Sequence, residues 1–130
     1  MTARGIRHNL AKLSSNILIK YYRFMGIKIG ERCSISRKAH LDVRRGKIII
    51  GNNVHIAGGT WILSHVGFRA QKEGQATIIE DNVKIFVNAI ILPGVRVGRN
   101  SVIGAGAVVM KNVPSDVVVM GNPARIIQHL

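Results

Sequence analysis

The chain has 130 residues, of which 47% are hydrophobic, and it carries 19 Lys and Arg against 6 Asp and Glu, a formal net charge of +13. This length allows one domain with one core, and the composition excludes an intrinsically disordered chain. Only 5% of the residues are aromatic, so we expect an aliphatic core. A surface this basic attracts anions, but charge alone does not choose among phosphates, acidic glycans, nucleic acid and anionic membranes.

The first 26 residues read as an amphipathic helix rich in Lys and Arg. Apolar side chains recur there at steps of three and four, at Ile6, Leu10, Leu13, Ile17, Tyr21 and Phe24. These steps are typical of one helix face. We expect this stripe to cover the open end of the domain that follows, because repeat arrays need caps. The alternative is that the stripe lies on an anionic membrane surface, and one helix can do both.

From Ile29 onward the period changes to six. The aliphatic positions are Ile29, Ile35, Leu41, Ile50, Ile56, Ile62, Ile79, Ile85, Ile91, Val97, Ile103 and Val109. Two gaps are longer than six, by three residues near Arg45 and by eleven residues after Ile62. Alternate residues of a strand share a face, so the aliphatic residue and the mostly small residue four later both point inward. Three hexads close a triangular coil, and twelve predict a parallel β-helix of about four coils over residues 27–127.

The single cysteine and the first residues of the chain indicate in which cellular compartment the protein resides. Cys33 lies on an inward row, so we expect an inert core residue rather than a nucleophile, and a lone cysteine forms no disulfide within the chain. No stretch approaches the ~20 apolar residues of a membrane-spanning helix, and the first residues lack the apolar run of a signal peptide. We expect a cytoplasmic protein, with contact to the inner face of the cytoplasmic membrane as an option.

The C-terminal half carries four motifs in a specific order. They are IILPGVRVG at Ile90–Gly98, VIGAGAVV at Val102–Val109, KNVP at Lys111–Pro114 and GNPAR at Gly121–Arg125. This combination resembles the hexapeptide-repeat acetyltransferases, which include the maltose, galactoside and serine acetyltransferases and the O-acetyltransferases of bacterial surface polysaccharides. The resemblance implies a left-handed β-helix, acetyl-CoA as acyl donor, no metal, and a homotrimer with active sites in the clefts between neighbours.

The resemblance also implies a catalytic histidine. A sugar hydroxyl is a poor nucleophile while protonated, so acetyl transfer needs a base, and histidine suits this role near neutral pH. The family places its histidine where a loop leaves the helix, and His65 stands there in this chain. By its hexad position His65 faces outward. The loop at about residues 66–76 is expected to cover the neighbouring cleft.

Other candidates surround this histidine. Asp42 is the first candidate to orient His65, with Glu73 or a backbone carbonyl as alternatives. His55 faces outward and is a candidate contact for the acceptor. Asn88 is a candidate donor to the tetrahedral oxyanion.

The donor site is expected in the last coils. The resemblance implies that a row of small residues contacts the pantetheine arm of CoA and that two basic residues bind the nucleotide phosphates. The matching residues are Gly104, Ala105 and Gly106 for the arm and Lys111 and Arg125 for the phosphates.

The acyl pocket and the acceptor stay open at this point. Lys84 and Phe86 stand where relatives often have Trp and Gly, which leaves the acyl chain length undecided. We predict an acetyl-CoA-dependent O-acetyltransferase acting on a sugar hydroxyl in surface glycan or polysaccharide biosynthesis. The alternatives are N-acetylation of an amino sugar and a non-catalytic scaffold. A β-helix carbonic anhydrase is excluded, because no histidine follows His65 until His129, and no nucleic-acid-binding motif accompanies the charge.

Overall fold

The computed structural model describes residues 2–44, 46–65 and 75–130. One helix, α1, spans Ala3–Phe24 and is capped by Thr2, whose hydroxyl accepts a hydrogen bond from the Gly5 amide at 3.2 Å. Short strands follow in chain order: β1 (Lys28–Ile29), β2 (Ser34–Ile35), β3 (His40–Leu41), β4 (Ile48–Ile50), β5 (His55–Ile56), β6 (Trp61–Ile62), β7 (Thr77–Ile79), β8 (Lys84–Ile85), β9 (Ile90–Ile91), β10 (Arg96–Val97), β11 (Val102–Ile103), β12 (Val108–Val109), β13 (Val117–Met120) and β14 (Arg125–His129).

The strands form three sheets, the faces of a triangular prism, which the chain visits in turn, and all strand pairs are parallel except β13–β14. Face A is β1-β4-β7-β10, face B is β2-β5-β8-β11-β13-β14, and face C is β3-β6-β9-β12. Ile85 pairs with Ile103, a step of eighteen residues. Earlier in the chain the steps are longer: Ile35 pairs with Ile56, and Ile62 pairs with Ile91. These longer steps contain the three-residue and eleven-residue insertions, so the predicted triangular coil and both interruptions of its period are confirmed.

The predicted inward rows form the core. Ile35, Ile62, Ile79, Ile91 and Ile103 are at most 1% exposed. The residues four positions later fill the corners, as Val54, Val83, Ala89 and Ala107 are fully buried. Cys33 is partly buried against this core, and its thiol donates to the Gly51 carbonyl at 3.1 Å. Burial raises the pKa of the Cys33 thiol, and a raised thiol pKa disfavours the reactive thiolate.

The three corners of the prism are named by the faces that they join. At the AB edge Asn53, Asn82 and Asn100 adopt φ values of 53°, 60° and 64°, a conformation that asparagine tolerates better than most residues. Their side chains form a ladder, with amide-to-amide distances of 2.9 and 3.1 Å, that continues at 2.8 Å to Asp116. The BC and CA edges carry the candidate site residues.

Helix α1 covers the first coil, but the predicted face of the helix is wrong. Ser15, Ile19 and Tyr22 are the buried residues, and the Ser15 hydroxyl accepts a hydrogen bond from the Ile35 amide at 3.0 Å. Arg23 donates to two carbonyls at the end of β1. The open coil presents unpaired backbone groups, so the covering face must supply polar partners as well as apolar area.

The stripe that was expected to cover this end is exposed instead. Its exposed fractions run from 45% to 88%, at Ile6, Leu10, Leu13, Ile17, Tyr21 and Phe24. At 3.6 residues per turn these positions lie on roughly the opposite side of the helix from Ser15, Ile19 and Tyr22.

A hairpin that the hexad pattern did not predict closes the other end. β13 pairs in parallel with β11, and β14 returns antiparallel along β13. The turn between them bonds onto face C, because the Val108 amide donates to the Gly121 carbonyl at 3.0 Å and the Ala124 amide donates to the Val108 carbonyl at 2.9 Å. The GNPAR motif is therefore part of the cap on the last coil.

Candidate active site

His65 lies at the CA edge, directly after β6. Ile62 anchors the end of this strand in the core with 0% exposure. The next amide, of Leu63, donates to the Ile91 carbonyl at 3.0 Å, and the Thr77 hydroxyl donates to the Leu63 carbonyl at 2.8 Å. The backbone that leads to His65 is therefore bonded to the following coil.

Asp42 holds the same backbone from the preceding coil. Its Oδ2 accepts a hydrogen bond from the Ser64 amide at 3.4 Å, and its carbonyl accepts one from the Ser64 hydroxyl at 3.2 Å. Oδ1 accepts from the backbone amide and Nε of Arg44, at 3.2 and 3.1 Å. Partial burial alone would raise the pKa of the Asp42 carboxyl, but these hydrogen bonds outweigh it and hold that pKa below its usual value.

The ring of His65 is half-buried and has a free nitrogen. Its Nδ1 is buried, and no atom of the described residues forms a hydrogen bond with it. Asp42 was predicted to orient this ring, but it contacts Ser64 instead and fixes the backbone beside the histidine. Glu73, the alternative, lies outside the described residues, as do residues 66–74 of the predicted loop.

The outer side of face C carries an aromatic pair that sequence reasoning missed. The His40 and Trp61 rings are stacked with centroids 4.2 Å apart and an interplanar angle of 18°. Trp61 is 46% exposed and lies in β6, four residues before His65. The register His40–Trp61 explains the pair, and the three-residue insertion was the signal from which it could have been found.

Asn88 and the glycine row share the BC edge. Asn88 is exposed, with φ of 58°, and its side chain packs closely over Gly59 of the preceding coil. Gly106 lies above it, joined through the Val87 carbonyl at 2.9 Å. A methyl group on Gly106 would meet no atom within 4 Å, whereas one on Gly104 would approach Met120 Cγ at 2.5 Å. The surface beside Gly106 is therefore open to a ligand.

Lys111 and Arg125 meet in one pocket. Its volume is about 230 Å³, and its lining includes Met110, Pro114 and Pro123 as well as the two basic residues. The C-terminal hairpin brings Arg125 back over the last coil, beside Lys111. Lys111 follows β12 at the CA edge, two strands along from His65, which corresponds to about 10 Å at the usual strand spacing.

His55 lies in a different and much larger cleft. This cleft, of about 1310 Å³, separates face B from α1 and also contains Lys84 and Phe86. Its Lys and Arg lining comprises Arg7, Lys12, Arg32, Arg37, Lys38 and Lys84. No Asp or Glu among the described residues lines it. The two departures from the family pattern thus fall in a basic cleft beside His55.

A single protomer separates these groups. In a triangular prism the CA edge is opposite face B, so His65 and the Lys111–Arg125 pocket lie away from His55. Asn88 and Gly106 lie at a third position, the BC edge. The predicted site residues therefore form separate sets on one chain: Asp42, His65 and Lys111 share the CA edge, and Asn88 shares the BC edge with Gly104–Gly106.

The described residues include no helix long and apolar enough to cross a bilayer. They also include no group of three or more His, Cys, Asp or Glu side chains placed to hold a metal ion.

The repeat matches a known family of sequences. The profile of the bacterial transferase hexapeptide family (six repeats) matches residues 76–111. A 2,3,4,5-tetrahydropyridine-2,6-dicarboxylate N-acetyltransferase of Staphylococcus aureus (strain JH9) is 42% identical over 79 residues, which are 61% of this chain and 32% of that protein.

Solved structures of similar shape are also acetyltransferases by name. A hexapeptide-repeat acetyltransferase of Vibrio cholerae O1 biovar eltor, in complex with acetyl-CoA, is 33% identical with a TM-score of 0.68, over 80% of this chain and 60% of that one. A maltose O-acetyltransferase of Clostridium difficile 630 is 34% identical with a TM-score of 0.59, over 80% of this chain and 66% of that one. The chain spans about one third of the length of the curated relatives that it matches.

Proposed function

Because this chain belongs to the hexapeptide-repeat acetyltransferase family and folds as its left-handed β-helix, we propose that it is an acetyl-CoA-dependent O-acetyltransferase acting on a sugar hydroxyl, in surface glycan or polysaccharide biosynthesis. The observation that carries the proposal is His65, a half-buried histidine just after the firmly bonded end of β6, whose buried Nδ1 has no hydrogen-bond partner among the described residues. Cytoplasmic localisation belongs to the same proposal and stays a prediction.

In this mechanism His65 acts as the general base. A ring nitrogen takes the proton from the acceptor hydroxyl while the oxygen attacks the thioester carbonyl of acetyl-CoA. When the tetrahedral intermediate collapses, the carbon–sulfur bond breaks and the protonated ring returns the proton to the departing CoA thiolate. Asp42 and Thr77 act on the backbone next to His65 and keep its position constant through both proton transfers.

Lys111 and Arg125 are the proposed contacts for the CoA phosphates. Both are exposed cations that line one pocket, and paired cations of this kind bind phosphate groups through charge-assisted hydrogen bonds. The open surface beside Gly106 is the proposed path for the pantetheine arm. The solved relative from Vibrio cholerae, which is complexed with acetyl-CoA, supports the choice of donor.

The separation of the site residues supports a homotrimer. His65 projects from the edge opposite face B, so a site that uses it together with His55, Asn88 or the Gly104–Gly106 row needs a neighbouring copy of the chain. We propose that the active site is completed between protomers, with His65 from one and the BC edge or face B from the next.

N-acetyl transfer is the rival that a specific observation favours, because the Staphylococcus aureus relative named above is an N-acetyltransferase. Incubation with acetyl-CoA and a panel of sugars and amino sugars, followed by mass spectrometry, separates the two reactions. Hydroxylamine removes an O-acetyl ester and leaves an acetamide intact. We expect a hydroxylamine-sensitive product. A resistant product would support N-acetylation, and no acetylated product with any acceptor would favour the scaffold alternative.

A further inference from the structure

The outer face of α1 is an apolar stripe that the fold leaves uncovered. The exposed fractions are 45% for Ile6, 59% for Leu10, 57% for Leu13, 61% for Ile17, 50% for Tyr21 and 88% for Phe24. Single exposed apolar residues are ordinary, but a contiguous row of large ones marks an interaction surface. The stripe is not needed to cover the β-helix, because Ser15, Ile19 and Tyr22 on the other side of α1 do that.

The charge of the helix is of one sign. Its sequence contains five Lys and Arg residues, at Arg4, Arg7, Lys12, Lys20 and Arg23, and no Asp or Glu. The neighbouring cleft between α1 and face B extends this positive surface, since its described lining adds four cations outside the helix, Arg32, Arg37, Lys38 and Lys84, and no acidic residue. At 3.6 residues per turn Arg7 and Lys20 lie beside the stripe, one on each side, whereas Arg23 is bonded to the end of β1. An apolar stripe flanked by cations is the pattern of helices that lie in the interface of anionic bilayers.

A second copy of the chain fits this surface less well. Two such helices packed stripe to stripe would bring their cations together without a single helix carboxylate to pair with them. An anionic lipid surface instead offers an apolar layer to the stripe and phosphate groups to the flanking cations.

We propose that α1 docks this protein onto an anionic lipid bilayer. The stripe from Ile6 to Phe24 enters the boundary between headgroups and acyl chains, and the helix lies parallel to the bilayer plane. Ser15, Ile19 and Tyr22 keep the β-helix attached to the opposite side of α1, so the prism stands on the membrane with its first coil nearest the lipid. This binding is independent of the proposed catalytic activity.

Co-sedimentation of the full chain with vesicles tests the proposal. Phosphatidylcholine vesicles with and without phosphatidylglycerol separate the apolar from the electrostatic contribution. The test variant is Leu13→Gln with Ile17→Gln, because glutamine is a good helix former and both residues are exposed. The matched control is Ile127→Gln with Leu130→Gln, two residues of similar exposure, 58% and 62%, at the opposite end of the chain.

We expect binding to vesicles that contain phosphatidylglycerol, weaker binding at high salt, and an affinity for vesicles about tenfold lower for each glutamine placed in the stripe. The control variant should bind as the wild type does. Circular dichroism and sedimentation velocity on both variants report folding and assembly.

Equal binding of the stripe variant and the wild type would overturn the proposal. So would absence of binding to anionic vesicles by the folded wild-type protein. A stripe variant that sediments as a smaller species, while wild-type protein ignores vesicles, would assign the stripe to contact between copies instead.

Discussion

Replacing Asp42 by asparagine tests whether this carboxylate positions His65 through Ser64. The substitution keeps the shape of the side chain and removes its charge. The Asp42 side chain is only 5% exposed, whereas its ion-pair partner Arg44 is 73% exposed. The ion pair with Arg44 is therefore worth about 0–1 kcal/mol, and the hydrogen bonds from the backbone amides of Arg44 and Ser64 supply the rest of the stabilisation. We expect a loss of about 2 kcal/mol in the free energy of unfolding.

The effect on turnover follows from the position of Ser64. A loosened backbone displaces the adjacent His65 ring from its acceptor, so kcat should fall about tenfold while KM for acetyl-CoA stays near the wild-type value. Steady-state kinetics with release of free CoA thiol provides the measurement. Glu80→Gln is the matched control, because Glu80 also pairs with an arginine, Arg96, but at a distance from the CA edge. Wild-type kcat in Asp42→Asn would refute the positioning role.

The pH dependence of stability gives a second readout for Asp42. Its pKa in the folded chain lies below the usual value, so the native state binds this proton less readily than the unfolded state does. The stabilisation is therefore complete above the unfolded pKa of about 3.9 and is lost as pH falls through the lower folded pKa. The stability difference between wild type and Asp42→Asn should be constant at neutral pH and shrink below about pH 4. A difference that stays unchanged as the pH falls well below the unfolded pKa would contradict this account.

Three further substitutions probe the donor site, the CA edge and the helix cap. Lys111→Ala should raise KM for acetyl-CoA about tenfold with little change in kcat. The control Lys28→Ala, on face A, should leave both constants unchanged. Equal KM values for Lys111→Ala and the wild type would remove Lys111 from the donor site. Thr77→Val keeps the volume of a fully buried side chain but leaves the Leu63 carbonyl and the Gly94 amide without their hydrogen-bond partner. Thermal unfolding should therefore show a loss of about 1–3 kcal/mol in stability. An unchanged unfolding midpoint would argue against a stabilising role for these two hydrogen bonds. Ser15→Ala leaves the Ile35 amide without its acceptor and should cost about 1–3 kcal/mol in a denaturant titration; a neutral effect would mean that apolar contact alone holds the cap.

The β-helix was predictable because its core repeats a single chemical requirement. Every sixth position must be aliphatic, so the frame and its two insertions were visible in the sequence and reappear as the longer pairing steps of Ile35–Ile56 and Ile62–Ile91. The face of α1 was not predictable in this way. Apolar periodicity selects the most hydrophobic stripe, whereas the open coil selects the face that satisfies its backbone amides through Ser15.

The candidate site was predictable in part for the same reason. The long insertion located His65, and the motifs located Lys111 and Arg125, which the C-terminal hairpin brings into one pocket. Contacts between coils were missed, because they depend on register across an insertion. The hydrogen bonds between Asp42 and Ser64 and the stacking of His40 on Trp61 are both of this kind.

The direct test of the central claim is the turnover of His65→Ala with acetyl-CoA and an accepted sugar, compared with His129→Ala, which removes an exposed histidine of β14. We predict that His65→Ala lowers kcat by about 10²–10⁴-fold, the usual contribution of a general base, without a loss of folding, while His129→Ala retains wild-type turnover. A correctly folded His65→Ala variant that acetylates the sugar at the wild-type rate would contradict the account.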